Sequence, residues 1–348
     1  MSRCYRCGVD LLPKAKATLQ NKTLEKFKSE EHIIPNFCGG FLTSSDLLCR
    51  DCNNTLGREL EGELADKMIA TRLLSHDIDR DKQPNKFVHG KTEKTNTDVL
   101  ISRKSWKFVK PHWKLNEEGE IVELRVKTES EALNLLKKLA RNNPKIKPYE
   151  IIKKIEWVNI YLNECINFGH HTFGGKTIHR AMSKIALNYF LYKGYNKKWA
   201  LDLIDYVIRD DIEGKFATPY YSFIPIHEIE ENEISHILYL KGNSKKRLLY
   251  CYIELYNIYN FIVVINDEYT GDDFEDKSCY DVLKKIELDK KINLSLLYNP
   301  LKRMQYDQLY HDQHFQQIQP EATKRFNRFL RLLEKIEELK SSKNKLQN

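Results

Sequence analysis

The chain has 348 residues, of which 41% are hydrophobic and 30% are charged. This balance excludes a disordered chain and predicts a folded protein of two or three domains. The net charge of +8 permits binding to nucleic acid but does not require it, since a solvated lysine-rich surface gives the same excess.

Two CxxC pairs, Cys4–Cys7 and Cys49–Cys52, dominate the first 57 residues. The chain has no apolar run of about 18 residues and no signal-peptide core, so we expect a cytoplasmic protein without a membrane span. In that reducing compartment, paired cysteines favour metal binding over disulfides. Two such turns supply the four thiolates of a tetrahedral Zn²⁺ site. We therefore predict a structural zinc that holds together the two ends of a 41-residue insert.

Polar side chains suited to a second metal site lie inside this insert and just after it. Glu31 and His32 precede a short β-branched strand, Asp46 lies just before the second CxxC pair, and Asn53 follows that pair directly. Carboxylate and carboxamide oxygens suit Mg²⁺ or Mn²⁺, and a neutral histidine suits proton abstraction from water near pH 7. This combination is typical of metal-assisted hydrolysis of a phosphodiester bond.

The segments CYRCG, SEEHIIPNFCGG and DLLCRDCNNTLG together resemble an HNH endonuclease of the ββα-metal type. The resemblance is to the subfamily in which two CxxC pairs bind zinc and the first motif reads EHIIP followed by GG. The last segment is also similar to phage resolvases of the endonuclease VII kind. The resemblance implies an α+β protein with an N-terminal zinc-clamped ββα-metal nuclease module and a larger mixed α+β domain. It also implies endonuclease activity, with nucleic acid, and DNA in particular, as the partner.

The resemblance implies a role for each motif residue. His32 matches the general base that activates water, and Glu31 and Asn53 match the two ligands of a catalytic Mg²⁺ or Mn²⁺ ion. Asn54 takes the place of Asn53 if the helix register slips by one residue. Asp46 stands where many relatives have an asparagine that braces the loop bearing the base, so this position departs from the family pattern. The four paired cysteines match the structural zinc ligands.

Each motif residue also has a structural explanation. Glu31 is also explained as a solvated carboxylate and His32 as a hydrogen-bonded surface residue, and Asn53 is a favoured helix cap. For the whole protein, a non-catalytic zinc-ribbon module that binds nucleic acid or regulates needs the cysteines but none of these three residues. An HNH ribonuclease is a further alternative, because the resemblance does not fix the sugar.

Beyond the motifs, the pattern predicts a helix over 58–74, with Leu60, Leu64, Met68 and Leu73 on one face. We place the nuclease domain at 1–75, a polar linker at 76–96 and an α+β domain of unknown role at 97–319. Within the larger domain we predict strands at 98–103, 106–110 and 121–128, helices at 129–141, 177–195 and 197–209, and an antiparallel meander at 235–242, 247–259 and 260–267. Residues 320–348 predict a C-terminal amphipathic helix.

Three basic residues, Lys176, Arg180 and Lys184, recur at i, i+4 spacing at the start of the helix predicted over 177–195. They are candidates for contacts with DNA phosphates, and a solvated stripe explains them equally well. The acidic stretch 266–276 lacks the residue order of an EF-hand, so we predict a loop. By analogy of architecture with restriction, anti-phage defence and mobile-element nucleases, we also expect a homodimer or a partner protein of a defence system.

Overall fold

The computed structural model describes eleven stretches, one of them a single residue, and a set of positions near the C-terminus. They are 2–11, 28–68, 71, 87–92, 96–101, 106–126, 128–156, 166–167, 175–214, 216–222, 224–296, and 313, 316–317, 319–329, 331–332 and 335. The chain divides into two compact units: unit 1 contains Met1–Asp81 and Phe173–Asn348, and unit 2 contains Lys82–Thr172. The domain boundaries predicted at 75, 96 and 319 stay a prediction, but this grouping differs from them because residues 173–348 pack with the N-terminus. Most of the predicted linker, 76–86 and 93–95, lies outside the described residues.

The N-terminal module, which we define as unit 1 up to residue 71, has the predicted ββα order. Strand β1 (Glu31–His32) pairs antiparallel with β2 (Thr43–Ser44), and helix α1 (Arg50–Leu56) follows. A π-helical turn (Gly57–Glu61) joins α1 to α2 (Gly62–Lys67). The helix begins at Arg50, before the start expected at Asn53, because Cys49 is its extended N-cap residue.

The apolar face predicted for this helix is confirmed within the described residues. Leu60, Leu64 and Met68 are fully buried, and Leu73 lies outside the described residues.

Unit 2 is a small α+β unit with two sheets. Its elements are β3 (Val88–Thr92), β4 (Asp98–Ile101), β5 (Trp106–Phe108), β6 (His112–Leu115), β7 (Ile121–Arg125), α3 (Glu129–Ala140), α4 (Pro148–Lys154) and β8 (Ile166–Asn167). One sheet has the order β5-β4-β3-β8, and β6 pairs with β7 as a hairpin. Thr128 caps α3 by accepting a hydrogen bond from the Glu131 backbone, and Pro148 begins α4, where no amide donor is needed. The predicted strands and the helix at 129–141 are confirmed, whereas β3, β6 and α4 were not predicted.

The remainder of unit 1 is a six-stranded antiparallel sheet with helices. Its elements are α5 (Lys176–Tyr192), α6 (Leu201–Ile208), β9 (Ala217–Pro219), β10 (Ser235–Asn243), β11 (Leu248–Leu255), β12 (Tyr259–Asn266), β13 (Phe274–Asp281) and β14 (Ile286–Glu287). The strand order is β14-β13-β10-β11-β12-β9. The meander is confirmed as β10–β12, and α5 and α6 confirm the helices predicted over 177–195 and 197–209. The loop predicted over 266–276 is wrong from Phe274 onward, because pairing with β10 makes a strand of this polar sequence.

One hydrophobic core runs from the N-terminal module into this sheet. Leu48 and Leu60 of the module belong to the same buried cluster as Ile185 of α5 and Ile253 of β11. A second, smaller cluster lies on the opposite face of the sheet. It includes Tyr250 and Tyr252, which alternate along β11 with the residues of the first cluster. Residues 319–329 of the predicted C-terminal helix are helical. None of the helices in the described ranges is long and apolar enough to cross a membrane.

Candidate metal centre and catalytic motif

The four paired cysteines form one cluster. The sulfur atoms of Cys4, Cys7, Cys49 and Cys52 all lie within 4.8 Å of one another, and those of Cys7 and Cys49 are 3.8 Å apart. Tetrahedral zinc with Zn–S bonds of about 2.3 Å places its sulfur ligands about 3.8 Å apart. The residues therefore fit Zn²⁺, and all four would hold it.

Backbone hydrogen bonds bring the two cysteine turns together. The Cys4 amide donates to the Val9 carbonyl (2.9 Å), and the Gly8 amide donates to the Cys4 carbonyl (2.8 Å). Gly8 adopts a left-handed backbone (φ +72°), which favours glycine. The Tyr5 amide then donates to the Leu47 carbonyl (3.0 Å) and joins the first turn to the chain that leads into the second.

The thiols of this cluster influence one another. Burial raises the pKa of the Cys49 and Cys52 thiols. At Cys7, burial is outweighed by hydrogen bonds from the Val9 backbone and the neighbouring thiols, which lower the pKa. Four thiolates in one place require a cation, so metal binding and folding of this turn are coupled.

The motif EHIIPNFCGG folds as a strand, a 3₁₀ turn and two glycines, each of which meets a different structural requirement. The 3₁₀ turn Asn36–Cys38 ends at Gly39, which adopts a left-handed backbone with φ +80°. A Cβ atom on Gly40 would lie 1.9 Å from the Ile34 carbonyl oxygen, so only glycine fits there. The Gly-Gly pair therefore closes the turn tightly enough for β1 to meet β2.

His236 of β10 anchors this turn to the six-stranded sheet. Its Nδ1 accepts a hydrogen bond from the Tyr256 amide (3.1 Å), so its Nε2 carries the proton and donates to the Cys38 carbonyl (2.8 Å). Burial lowers the pKa of His236 to about 4, which keeps the ring neutral near pH 7. Phe41, just after the glycines, stacks on Tyr280 with ring centroids 4.0 Å apart.

Glu31 is buried and already paired. The Asn188 amide nitrogen donates to its Oε1 (2.7 Å), and the Lys184 ammonium donates to the same oxygen. Lys184 also donates to Glu61 Oε1 at 2.6 Å. Burial raises the pKa of Glu31 even though the Lys184 charge opposes the shift. As arranged, the Glu31 carboxylate does not fit the predicted role of a ligand open to a divalent cation.

His32 is partly exposed, pairs with Thr43 in the hairpin and, by strand alternation, points away from the face that carries Glu31. Asn53 lies on α1, and its amide nitrogen donates to Ser29 Oγ (3.0 Å) and to the Glu30 carbonyl (3.2 Å). The alternative explanation of Asn53 as a helix cap is wrong, because Cys49 is the N-cap residue. Asn53 instead braces the chain directly before β1.

The Asn53 Oδ1 accepts no hydrogen bond from any residue in the described stretches, so this oxygen fits a divalent cation. Asn54, the alternative in the neighbouring register, is exposed.

Asp46 also acts as a brace. Its carboxylate accepts hydrogen bonds from Ser2 Oγ (2.7 Å) and from the Lys28 ammonium. These bonds, that of Lys28 above all, lower the pKa of Asp46. Asp46 thus ties the chain that enters the β1 segment to the chain that precedes Cys4, although it stands where the family has an asparagine.

The predicted phosphate-binding face on α5 is wrong for two of its three residues. Arg180 is buried and donates to the Tyr206 (3.1 Å) and Val207 (2.9 Å) carbonyls at the end of α6. Lys184 is buried against Glu31. Lys176 alone is near solvent, where it pairs with the exposed Glu213 (3.0 Å). The i, i+4 stripe misled because nearly every residue from 178 to 190 is buried, so α5 has no solvent face there.

Four residues of this centre were not predicted: Tyr5, Glu61, Asn188 and His236. The one sequence signal is the spacing of Lys184 and Asn188, which place polar groups one turn apart on a helix that is otherwise apolar at its centre.

Comparison with known proteins supports the motif assignment. Residues 4–69 match the model of a protein family described as HNH endonuclease. No curated protein and no solved structure matches the chain significantly. The matched range covers all four cysteines, the β1–β2 hairpin, α1 and α2. The resemblance expected from the sequence is therefore confirmed, and residues 4–69 form an HNH endonuclease family domain.

Proposed function

We propose that this protein is an endonuclease that hydrolyses phosphodiester bonds in DNA, with His32 as the general base. The observation that carries the proposal is the family match over residues 4–69, in which a partly exposed histidine lies on a strand braced by Asn53 and Asp46. The family resemblance implies that the activity depends on Mg²⁺ or Mn²⁺. A setting in restriction, anti-phage defence or a mobile element stays a prediction by analogy.

In the proposed reaction, the neutral His32 imidazole takes a proton from the water that attacks phosphorus. Efficient transfer requires the base to be held in place, and three features of the chain hold the strand that carries His32: the β1–β2 pairing, the Gly39–Gly40 turn and the Asn53 brace. When bound, a divalent cation would stabilise the phosphate charge. Of its two predicted ligands, Asn53 fits through its side-chain oxygen, which accepts no hydrogen bond from any described residue, and Glu31 does not fit.

The charge distribution supports nucleic acid as the ligand. Unit 2 contains 18 Lys and Arg against 11 Asp and Glu, whereas the rest of the chain contains 39 against 38. The excess is concentrated at 137–154, which we call the basic segment. It has one acidic residue, Glu150, and seven exposed basic ones: Lys137, Lys138, Arg141, Lys145, Lys147, Lys153 and Lys154. Such a cluster suits a phosphate backbone, and we propose that duplex DNA contacts it.

The test is cleavage by the purified full chain. With Mg²⁺ or Mn²⁺, we expect it to nick or cut duplex DNA, and we expect His32→Ala to abolish cutting while zinc content and circular dichroism stay unchanged. His112→Ala is the matched control, because His112 is an exposed histidine of unit 2. Equal cutting by His32→Ala and the parent would contradict the role of His32. Single-stranded DNA and RNA, tested in parallel, distinguish the ribonuclease alternative.

A non-catalytic zinc module that binds nucleic acid is the second candidate. The observation that favours it is the burial of Glu31, which gives this motif residue a structural partner. DNA binding without cleavage under any divalent cation, by a zinc-loaded protein, would support this candidate over the nuclease.

A further inference from the structure

The Lys184 ammonium lies between two carboxylates of the HNH domain. The side chains of Lys184 and Glu31 are only 3% and 2% exposed, and that of Glu61 is 24% exposed. Glu31 and Glu61 come from β1 and from the π-helical turn, whereas Lys184 comes from α5, far along the chain. A cation of the later part of unit 1 is thus inserted beside the first catalytic motif.

The Lys184 ammonium cannot reach solvent while α5 stays in place. The residues from Arg180 to Phe190 are all buried, so the helix is enclosed on every side around Lys184. Both carboxylates raise the pKa of the Lys184 ammonium, although burial alone would lower it, so the charge persists at neutral pH. A divalent ion that reached Glu31 would have to share a buried space with a fixed positive charge, which is unfavourable in a low dielectric.

The hydrogen bonds continue from Glu31 to the zinc turn. Asn188, one helical turn after Lys184, donates to Glu31 Oε1 (2.7 Å) and accepts from the Tyr5 hydroxyl (3.1 Å). Tyr5 lies between the cysteines of the first CxxC pair. Because Glu31 and His32 are adjacent on β1, fixing the Glu31 carboxylate in this network also fixes the strand that presents His32.

We propose that Glu31 is a positioning residue held by Lys184 and Asn188, and that it does not ligate the catalytic divalent ion. Lys184 supplies a resident positive charge at the carboxylate to which the family resemblance assigns a metal. The nuclease centre is then composite, because α5 completes it from outside residues 4–69. This inference rests on the proposed function, since it assigns a role within the same site.

The first test is a double-mutant cycle in the full chain, read by thermal unfolding, which needs no enzymatic activity. We expect Glu31→Gln and Lys184→Met each to lower the melting temperature by about 5–10 °C, because the first leaves the buried Lys184 with Glu61 alone and the second leaves the buried Glu31 without a cation. The double variant should lose clearly less than the sum of the two, since neither of these two buried charges remains and Glu61 is 24% exposed. Additive losses would overturn the inference.

The matched control is Lys193→Met. Lys193 belongs to the end of the same helix and pairs with Asp276 at 3.0 Å, but its side chain is 28% exposed and touches no motif residue. We expect it to shift the melting temperature by no more than about 2 °C.

The second test is Mn²⁺ binding by calorimetry to the zinc-loaded wild type, the two single variants and the double variant. We expect the four Mn²⁺ affinities to agree within about twofold. Undetectable Mn²⁺ binding in all four proteins would also support the inference. A tenfold weakening in Glu31→Gln would overturn the inference. So would a tenfold gain in Lys184→Met that disappears in the double variant, because Lys184 would then be blocking a metal site on Glu31.

Cleavage at a temperature where all four proteins are folded separates positioning from stability alone. We expect Lys184→Met to cut at least tenfold more slowly than wild type and the double variant to recover most of that loss. A folded double variant that stays inactive would show that cleavage needs the Glu31 carboxylate beyond its pairing with Lys184, and would overturn the inference. If the wild type never cuts, the proposed function fails while the unfolding cycle and the Mn²⁺ titration still decide the role of Glu31.

Discussion

Glu31 and Glu254 are both buried carboxylates of unit 1, and their surroundings differ. Glu254 is 0% exposed and accepts hydrogen bonds from four side chains: His227 (2.9 Å), Tyr252 (2.5 Å), Asn257 (2.7 Å) and Arg325 (3.0 Å). Burial alone would raise its pKa, but the bond from His227 and the nearby positive charges lower the pKa to about 2.

The ratio of basic to acidic side chains differs between the surroundings of Glu254 and those of Glu31. The His227 ring lies between two acceptors, the Glu228 carbonyl and the Glu254 carboxylate, and the Arg325 guanidinium donates to the other oxygen of Glu254. Glu254 therefore has two basic side chains as partners, whereas Glu31 and Glu61 share the single cation of Lys184. A buried carboxylate such as Glu254, with hydrogen bonds from four side chains, stabilises the fold. A carboxylate with an unbalanced negative neighbour and a raised pKa, next to a catalytic motif, is typical of a functional centre.

Zinc removal should separate the two places most strongly, because only Glu31 lies in the module that contains the four-cysteine cluster. Structural zinc contributes about 10–16 kcal/mol of apparent binding free energy, so Cys49→Ser should lose zinc and unfold this turn. In hydrogen exchange, we expect residues 28–68 to lose protection while β10–β13 keep theirs. Cys279→Ser, a buried cysteine outside the cluster, should keep the zinc. Retained protection of 28–68 without zinc would show that the module does not need the metal.

Glu254→Gln should cause the next largest loss. It removes the buried carboxylate that pairs with His227 and Arg325 and leaves Arg325 only the ion pair with Glu321 at 3.5 Å, and breaking a buried pair in this way costs about 3–5 kcal/mol of unfolding free energy. Urea unfolding measures this cost. Glu275→Gln, on strand β13 of the same sheet and half exposed, should lose less than about 1 kcal/mol. If Glu254→Gln also altered the metal dependence of cleavage in the folded protein, the distinction between the two carboxylates would fail.

Acid should destabilise the contact between the sheet and the motif turn. The pKa of His236 is about 4 in the folded protein and about 6.5 when unfolded, so the unfolded chain binds more protons between these values. Stability therefore falls as the pH drops from 6.5 to 4, by about 3 kcal/mol from this residue. His236→Gln, which can still donate to Cys38 and accept from Tyr256, should show a flatter pH profile in urea unfolding. Bound zinc is measured in the same samples, and identical profiles would contradict the role of His236.

The basic segment of unit 2 contains exposed lysines that are available to phosphates. In the described residues, Lys137, Lys138, Lys153 and Lys154 form no ion pair, unlike Lys184. Replacing all four with glutamine should weaken duplex DNA binding about tenfold and reduce the dependence on salt, by up to about 0.9 in the logarithmic slope per lost phosphate contact. Fluorescence anisotropy over a salt series measures both. Replacing Lys176 and Lys277, basic residues outside unit 2, is the control, and an equal effect there would remove the special role of the basic segment.

The smallest expected effect tests how far the Glu31 network extends. Tyr5→Phe removes the hydroxyl that donates to Asn188 and should cost about 1 kcal/mol of unfolding free energy. Tyr192 is an exposed tyrosine of α5, the helix that carries Asn188, and Tyr192→Phe should not measurably change the unfolding free energy. Equal unfolding free energies for the two variants would mean that the network ends at Asn188.

The sequence predicted the parts of the centre that depend on local order. Two CxxC turns predict a metal cluster because each turn fixes its own pair of thiols, and the alternation along β10–β12 predicts a meander because one face is apolar. Glu31 was a different case. Its partner Lys184 lies 153 positions away, and no spacing within the motif indicates that a distant helix reaches it. The same reason explains the error for Arg180, whose acceptors are carbonyls at the end of another helix.

Helix α5 also bears on whether this HNH family domain can be moved into another protein. It packs against the π-helical turn and α2, covers their apolar side chains and brings Lys184 to Glu31. The limit of the family match at residue 69 is therefore a limit of sequence similarity and not of folding. A chimera that carried residues 4–69 alone would expose Leu60 and Leu64 and leave Glu31 without a cation. A graft that folds has to include α5, or the host protein has to supply a helix with a lysine at the position of Lys184.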